Sequence, residues 1–324
     1  MIPRNSVIII DHDRRIFLKN AVTSVLSQTL NKELYEVIVV KGYDSELDQW
    51  LTQKGIIVVK ETNTSYGQKF LKGLEKSRGE IISLLDDDDQ FSSHKLEIVN
   101  NFFENYPNAG YLHNHFKKID KEGKIIENNY WLMEKRRMLT GQVKYTDKVG
   151  ISHSLYNAGD FNHSSISFKR EILTLPYTEM IQISGSFDTL LFFLALINRK
   201  DLLFSPENLT FYRVHASNSS KKSSMESKVQ YFKKQIHNYS LISNIIGESN
   251  KDKTLEALIK YKIIETKINI QILSGLSKRG LIYALKELIE IRPIVTVNKI
   301  LRIFLVFSYL CSSRLTKSLF FSRI

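Results

Sequence analysis

The chain has very little cysteine and no long apolar run. Cys311 is the single cysteine among 324 residues, which excludes an intramolecular disulfide framework and a cysteine-based zinc cluster, so a reducing, intracellular setting is expected. The first residues lack the basic-then-apolar layout of a signal peptide, and no succession of transmembrane helices is visible. These absences favour a globular protein without a disulfide scaffold.

What is present is an ample core and an excess of positive charge. Hydrophobic residues make up 43% of the chain, and the formal net charge is +12. Such a charge favours a polyanionic partner, an anionic membrane surface or a phosphorylated substrate. Nucleic-acid binding would place basic and aromatic residues together on one face, whereas here the basic residues are denser in the C-terminal helices and tail, so no nucleic-acid partner is predicted.

Apolar runs and amphipathic stretches alternate along the first part of the chain. Residues 6–10, 35–40, 56–59 and 81–85 are strand-like, and helical spacing occurs between them, for example over 18–26 and 70–76. Continuous apolar strands joined by helices indicate a parallel sheet covered on both faces. The predicted fold class is therefore α/β, with ligands expected at the carboxyl ends of the strands.

Four consecutive aspartates, Asp86 to Asp89, follow the fourth strand-like run. Carboxylate oxygens are hard ligands suited to Mg²⁺ or Mn²⁺, which proteins often hold together with substrate phosphates. Four repelling carboxylates fit a bound divalent ion better than an empty loop. The alternative is a solvated acidic loop that only terminates the strand.

The following residues predict further elements and a domain boundary. Helical spacing continues to Pro107, a strand is expected over 110–113, and a hairpin is expected over 117–126. Weak periodicity over 127–160 predicts loops that contact substrate. A buried helix over 187–197 precedes strands at 202–204 and 209–214, and a Ser-rich basic stretch, 217–224, marks the boundary between a first domain, 1–220, and a helical region, 221–324.

Four segments give the first domain a resemblance to a known family. They are Ser-Val-Ile-Ile-Ile at 6–10 with Ser-Val-Leu-Ser-Gln-Thr at 24–29, Glu-Val-Ile-Val-Val at 36–40, the stretch from Gly79 to Asp89, and Phe-Tyr-Arg-Val-His at 211–215. In this order and spacing they resemble family 2 glycosyltransferases with a GT-A fold. The resemblance implies a Rossmann-like, mainly parallel sheet flanked by helices, a nucleotide-sugar donor, Mn²⁺ or Mg²⁺, and inverting transfer.

The same resemblance implies roles for individual residues. Asp86 and Asp88 match the ends of the family's Asp-x-Asp motif, whose residues contact the donor ribose and hold the metal on the diphosphate. Asp88 is therefore expected to bind the metal with support from Asp86 and Asp89, and Asp86 is also expected to bind the donor. His215 resembles a residue near the metal or diphosphate, and Arg213 is expected to pair with phosphate; a plain surface histidine is the alternative. Asp188 resembles the catalytic base, with a simple helix N-cap as the alternative.

The chain also departs from the family pattern. Asp-His-Asp-Arg occupies 11–14 where Pro-Thr-Tyr-Asn is common, and Lys41 begins a Lys-Gly-Tyr-Asp stretch where an Asp-Asp-Gly-Ser sequence is usual. Asp11 or Asp13 is expected to replace the lost contact with base or ribose, and Lys41 to favour phosphate. A UDP-sugar is the favoured donor, while a GDP-sugar or a lipid-phosphate-linked donor stays open. The turn at 162–165 is a candidate for donor or acceptor contact, or an ordinary turn.

Beyond residue 220 the sequence predicts amphipathic helices and an apolar, basic tail over 295–324. The tail favours an interfacial helix on an anionic membrane, with packing onto the catalytic domain or a second subunit as the alternative. A lipid-linked or cell-envelope glycan acceptor at the cytoplasmic face of the cell membrane, and a homodimer, are therefore predicted. The chain lacks the Gln-x-x-Arg-Trp sequence that would indicate processive polymerisation, so transfer of a single sugar is favoured. A non-catalytic glycan-binding or scaffold subunit is the second hypothesis.

Overall fold

A computed structural model describes residues 2–63, 65–126, 139–215, 224–249, 252–274 and 278–291. The chain divides into two compact units, Met1–Ala216 and Ser217–Ile324. Three stretches with predictions lie wholly or largely outside the described residues: 127–138 of the expected substrate loops, 217–223 of the expected boundary, and the tail over 295–324.

In its described residues, the first unit is built on one sheet of nine strands. Its strands are β1 Asn5–Ile10, β2 Tyr35–Lys41, β3 Ile57–Lys60, β4 Ile81–Asp86, β5 Gln90–Phe91, β6 Ala109–Ile119, β7 Gly141–Val143, β8 Ile166–Lys169 and β9 Asp201–Arg213. The spatial order is β3-β2-β1-β4-β8-β6-β9-β5, and β7 pairs with β9. The pairings among β3, β2, β1 and β4 are parallel, as predicted, and β8 runs antiparallel to both of its neighbours.

Helices cover this sheet. They are α1 Arg15–Leu26, α2 Leu47–Gln53, α3 Tyr66–Lys76, α4 Lys95–Asn105, α5 Lys148–Tyr156, α6 Tyr177–Met180 and α7 Phe187–Ile197. The apolar positions of α1 pack with the inward side chains of β1 and β2, Val7, Ile9, Val37 and Val39. β1 is buried along its whole length, and β2 is buried at every position except Glu36, as the continuous apolar runs indicated.

Two predicted strands proved to be one. The sequence predicted separate strands at 202–204 and 209–214, but β9 continues through the stretch between them. Asn114 of β6 pairs with Ser205 and the next residue, His115, pairs with Asn208, so the extra residues form a bulge. The predicted strand at 110–113 likewise extends to Ile119, and a turn then brings Ile125 back beside it.

The described part of the second unit is helical, as predicted. It contains α8 Met225–Ser249, α9 Lys253–Ser274 and α10 Lys278–Glu290, and α9 packs against both other helices. Ile259, Ile268 and Ile272 of α9 are fully buried, which accounts for the apolar positions recurring at helical spacing. Within the part of the chain that the structure describes, none of the helices combines the length and apolarity that a membrane crossing requires.

Candidate active site

The aspartate loop, Asp86 to Asp89, lies at the carboxyl end of β4, the last of the four parallel strands and the neighbour of the antiparallel β8. Asp86 is the last residue of β4 and lies in register with Ile10 of β1. The loop turns back at once, because the Asp89 amide donates to the Asp86 carbonyl. Asp86, Asp88 and Asp89 each offer a carboxylate oxygen, and these oxygens lie within 4.8 Å of one another.

These three carboxylates fit a divalent cation. Asp86 Oδ1 and Asp89 Oδ2 are buried, and no hydrogen-bond partner for either occurs among the described residues. Burial raises the pKa of Asp88 to about 6, and burial together with Asp88 and Asp86 raises the pKa of Asp89 well above its usual value. Buried carboxylate oxygens without donors are stabilised by a metal ion, which replaces the missing hydrogen bonds and removes the repulsion.

Asp87 does not join this group, because the loop after β1 holds it. Its Oδ2 accepts hydrogen bonds from the amides of His12 and Arg14, and its Oδ1 accepts one from Arg14 Nε at 2.8 Å. The Arg14 guanidinium also forms an ion pair with Asp88 Oδ2. Sequence reasoning missed Arg14. The available signal was a basic residue at the carboxyl end of β1, the strand that neighbours β4.

Asp11 lies at this edge of the sheet and Asp13 points away from it. Asp11 is fully buried, and its two oxygens accept from the Tyr43 hydroxyl at 2.5 Å and from the Asp13 amide at 2.6 Å. Burial and the neighbouring Asp87 raise the pKa of Asp11 to about 6. Asp13 adopts a left-handed backbone (φ 66°), and its exposed carboxylate pairs with Arg15. Both oxygens of Asp11 thus accept hydrogen bonds within the protein, and a donor contact by Asp11 or Asp13 stays a prediction.

Lys41 ends β2 and its ammonium is occupied within the protein. Lys41 is 1% exposed, and its Nζ donates to Ser45 Oγ at 2.7 Å and forms an ion pair with Asp48. The same ammonium lies 4.3 Å from the centre of the Tyr43 ring. These contacts brace the turn between β2 and α2. The contact of Lys41 with a donor phosphate stays a prediction.

Arg213 and His215 approach the aspartate loop from the end of β9. The buried Arg213 guanidinium donates from Nε to the Asp88 carbonyl at 2.7 Å and from Nη1 to the carbonyls of Asp120 and Lys121. The Arg213 amide donates to Asp89 Oδ1. His215 Nε2 lies 2.9 Å from Asp88 Oδ2, so the structure brings this predicted ligand to the predicted metal-binding carboxylate.

Asp188 and Asp86 are connected electrostatically through His163. Asp188 lies in the first turn of α7, where its Oδ1 accepts from the Thr189 amide. The His163 ring stacks on Tyr66 with centroids 3.9 Å apart, and its Nδ1 lies 3.7 Å from Asp86 Oδ2. Burial lowers the pKa of His163, but Asp188 and Asp86 outweigh it and raise the pKa. His163 thus lies within the electrostatic influence of both carboxylates, and the catalytic role of Asp188 stays a prediction.

The turn at 162–165, a candidate from the sequence, is fixed against the loop. Ser164 Oγ accepts a hydrogen bond from the Asp86 amide at 3.0 Å, and the Ser164 carbonyl accepts one from Lys95 Nζ. Lys95 is completely buried, and burial lowers the pKa of its ammonium well below the usual value. Because a buried lysine is costly, its bond to Ser164 indicates that this turn is held rigidly beside Asp86.

Comparison with known proteins agrees with this geometry. Residues 6–161 match the family model "Glycosyl transferase family 2". An uncharacterized glycosyltransferase of Nostoc sp. is 26% identical over 239 residues, which cover 71% of this chain and 70% of the relative. An uncharacterized glycosyltransferase of Rickettsia bellii is 33% identical over 128 residues, 38% of this chain and 18% of its own length.

Solved structures share the fold at low identity. S. aureus TarS in complex with UDP superposes with a TM-score of 0.59 at 16% identity, covering 90% of this chain and 81% of that one. The mannosyltransferase PcManGT from Pyrobaculum calidifontis, solved with GDP-Man and Mn²⁺, superposes with a TM-score of 0.55 at 12% identity. The match covers 98% of this chain and 84% of PcManGT. The sheet, the aspartate loop and these matches define a glycosyltransferase domain of the GT-A fold. The first unit of the chain belongs to glycosyltransferase family 2.

Proposed function

We propose that this protein transfers a sugar from a nucleotide-sugar donor to a lipid-linked or cell-envelope glycan, with inversion and with help from a divalent metal. The observation that carries the proposal is the convergence of Asp86, Asp88 and Asp89 at the carboxyl end of β4. Two of their buried oxygens have no donor among the described residues. A metal and a diphosphate supply what this arrangement needs.

The donor end of the proposal rests on the strand ends around this loop. Asp11 and Asp86 lie at the ends of two adjacent strands, where a nucleotide is bound in open α/β sheets. TarS has been solved with UDP and with UDP-GlcNAc, and PcManGT with GDP-Man. A UDP-sugar is our first choice of donor, and a GDP-sugar is the second.

Asp88 is the proposed principal ligand of Mn²⁺ or Mg²⁺, with Asp86, Asp89 and His215 beside it. The ion, when bound, neutralises negative charge that develops on the departing nucleoside diphosphate. His163 favours an ionised Asp86, because burial of this carboxyl is outweighed by the His163 contact and its pKa is lowered. The same loop thus offers an ionised carboxylate at neutral pH.

Asp188 is the proposed base that takes the proton of the acceptor hydroxyl. It lies in the first turn of α7, where the helix dipole favours a carboxylate. The charge of Asp188 acts on His163, which lies 3.7 Å from Asp86, and this supports a base beside the proposed donor site. This arrangement supports attack on the sugar by a hydroxyl activated beside the donor.

Calorimetric titration with UDP, GDP and a panel of nucleotide sugars, with and without Mn²⁺, tests the donor site. We expect Mn²⁺-dependent binding of one nucleotide that is lost in Asp88→Ala. Asp44→Asn is the matched control, because this exposed carboxylate pairs with Lys60 outside the loop and its loss should not matter. Absence of nucleotide binding to the wild type would favour the alternative, a glycan-binding scaffold that retains the fold.

Asp188→Asn tests the base. Asparagine keeps an oxygen for the Thr189 amide, so the turn should be preserved. We expect donor binding to be unchanged and the rate of transfer to polyprenyl-linked acceptors to fall by about 10² to 10⁴. Wild-type transfer by this variant would remove Asp188 from the mechanism.

The acceptor and the location of the enzyme are proposed from the sequence of the second unit and tail. We place the protein at the cytoplasmic face of the cell membrane, bound peripherally by basic and apolar residues of the tail. Flotation with anionic vesicles should recover the full chain and lose it when residues 295–324 are deleted.

Light scattering at several concentrations tests the proposed homodimer, since a mass near 37.6 kDa would exclude it.

A further inference from the structure

Arg14 places a positive charge inside the carboxylate group that should hold the metal. Its side chain is 16% exposed, and its guanidinium is shared between Asp87 and Asp88. The two contacts differ in how firmly they are fixed. Asp87 is bound by Arg14 Nε and by two backbone amides, so this carboxylate anchors the arginine.

The contact with Asp88 involves an atom that a metal would also use. Asp88 Oδ2 accepts from Arg14 Nη1 and lies 2.9 Å from His215 Nε2. Asp86 and Asp89 complete the group of possible ligands and each keeps a buried oxygen without a donor among the described residues. The ligands therefore fit a cation, but one of them already has a cation bound to it.

We propose that Arg14 is a positioning residue whose guanidinium forms an ion pair with the Asp88 carboxylate in the metal-free protein and competes with the divalent ion for this carboxylate. This inference rests on the metal-binding part of the proposed function. Two cations that share one carboxylate repel each other, so the ion alone binds weakly. A nucleoside diphosphate brings negative charge to the same place and relieves that repulsion, so donor and ion bind more tightly together than separately.

The chain offers a matched control for this idea. Arg15 follows Arg14 directly, but its exposed guanidinium pairs with Asp13 and not with the aspartate loop. Removing Arg15 changes the net charge by the same amount as removing Arg14. A difference between the two variants is therefore a local effect and not one of long-range charge.

The experiment is a titration of the full-length protein with Mn²⁺, followed by electron paramagnetic resonance of the free ion. Without nucleotide, we expect Arg14→Ala to bind Mn²⁺ about tenfold more tightly than the wild type, the size of one charge-assisted contact, and Arg15→Ala to be unchanged. Adding guanidinium ion at millimolar concentration should weaken binding by Arg14→Ala towards the wild-type value. Adding UDP should tighten Mn²⁺ binding more in the wild type than in Arg14→Ala.

Mn²⁺ binding by Arg14→Ala that is no tighter than that of the wild type would overturn the inference while leaving the metal site intact. Absence of Mn²⁺ binding in every variant would overturn both the inference and the metal-dependent function. If Arg14→Ala does not fold, Arg14→Gln keeps much of the side chain without its charge. The same gain in Mn²⁺ affinity is expected for it, and equal affinity would count against competition.

Discussion

The contacts of Arg213 predict that it braces the aspartate loop. Its buried guanidinium makes three hydrogen bonds, to the carbonyls of Asp88, Asp120 and Lys121, and so joins the loop to the turn after β6. Arg213→Met retains most of the volume and removes all three. At about 1 kcal/mol net for each bond, the loss is about 3 kcal/mol.

Part of this loss is recovered because a buried charge is also removed. Burial lowers the pKa of Arg213, which shows that its charged form is disfavoured there. We therefore expect a net decrease of about 2 kcal/mol in the free energy of unfolding of the first unit. With a urea dependence of about 2 kcal/mol/M, the midpoint should move by roughly 1 M.

Tryptophan fluorescence in urea is the appropriate assay. Trp50 and Trp131 are the two tryptophans of the chain, and both lie within Met1–Ala216, so the signal reports on the first unit. Mn²⁺ binding is measured on the same samples and should weaken about tenfold, because the Asp88 backbone loses its support.

Arg170→Met is the matched control. Arg170 donates to the Gly79 carbonyl and to Ser77 Oγ, just before β4 begins and away from the aspartate loop. We expect this variant to lose about 1 to 2 kcal/mol of stability and to keep its Mn²⁺ affinity. Arg213→Met with a wild-type urea midpoint but weakened nucleotide binding would refute the brace and favour the phosphate contact that the sequence indicated.

Two further predictions concern pH and packing. Burial raises the pKa of Asp88 to about 6, and its proton must leave before a metal binds. For this group alone, Mn²⁺ affinity should therefore fall about fourfold between about pH 7.5 and about pH 5.5. An affinity that does not change with pH in the electron paramagnetic resonance titration would contradict this prediction. Gly79→Ala places a Cβ 2.6 Å from the backbone of Asn5 and Ser6, so it should cost more than about 2 kcal/mol by calorimetry. Gly247→Ala, with open space around it, should stabilise its helix slightly, and equal effects of the two changes would refute the packing argument.

The sheet and the aspartate loop were predictable because they depend on local pattern. Continuous apolar runs predicted β1 to β4 and their parallel pairing, and the position of Asp86 to Asp89 followed from the end of the fourth run. The helix α7 was predicted with its observed bounds, because eleven nearly uninterrupted apolar residues need burial on all sides. The bulge in β9 was not predicted from the sequence, because it depends on the pairing of β9 with β6.

The sequence by itself determined the fold class and the acidic loop, because each depends on consecutive or regularly spaced residues. The role of Asp188 as base is implied by the family resemblance and stays a prediction. Only the tertiary structure decided which charges meet. Arg14 reaches Asp88 across 74 positions of sequence, and His163 lies beside Asp86 although the two are far apart along the chain. Lys41 and Asp48 likewise form an ion pair that the sequence did not indicate, while the contact of Lys41 with a donor phosphate stays a prediction. Partners of buried charges are selected by distance and desolvation in the folded sheet, and neither quantity can be read from the order of residues.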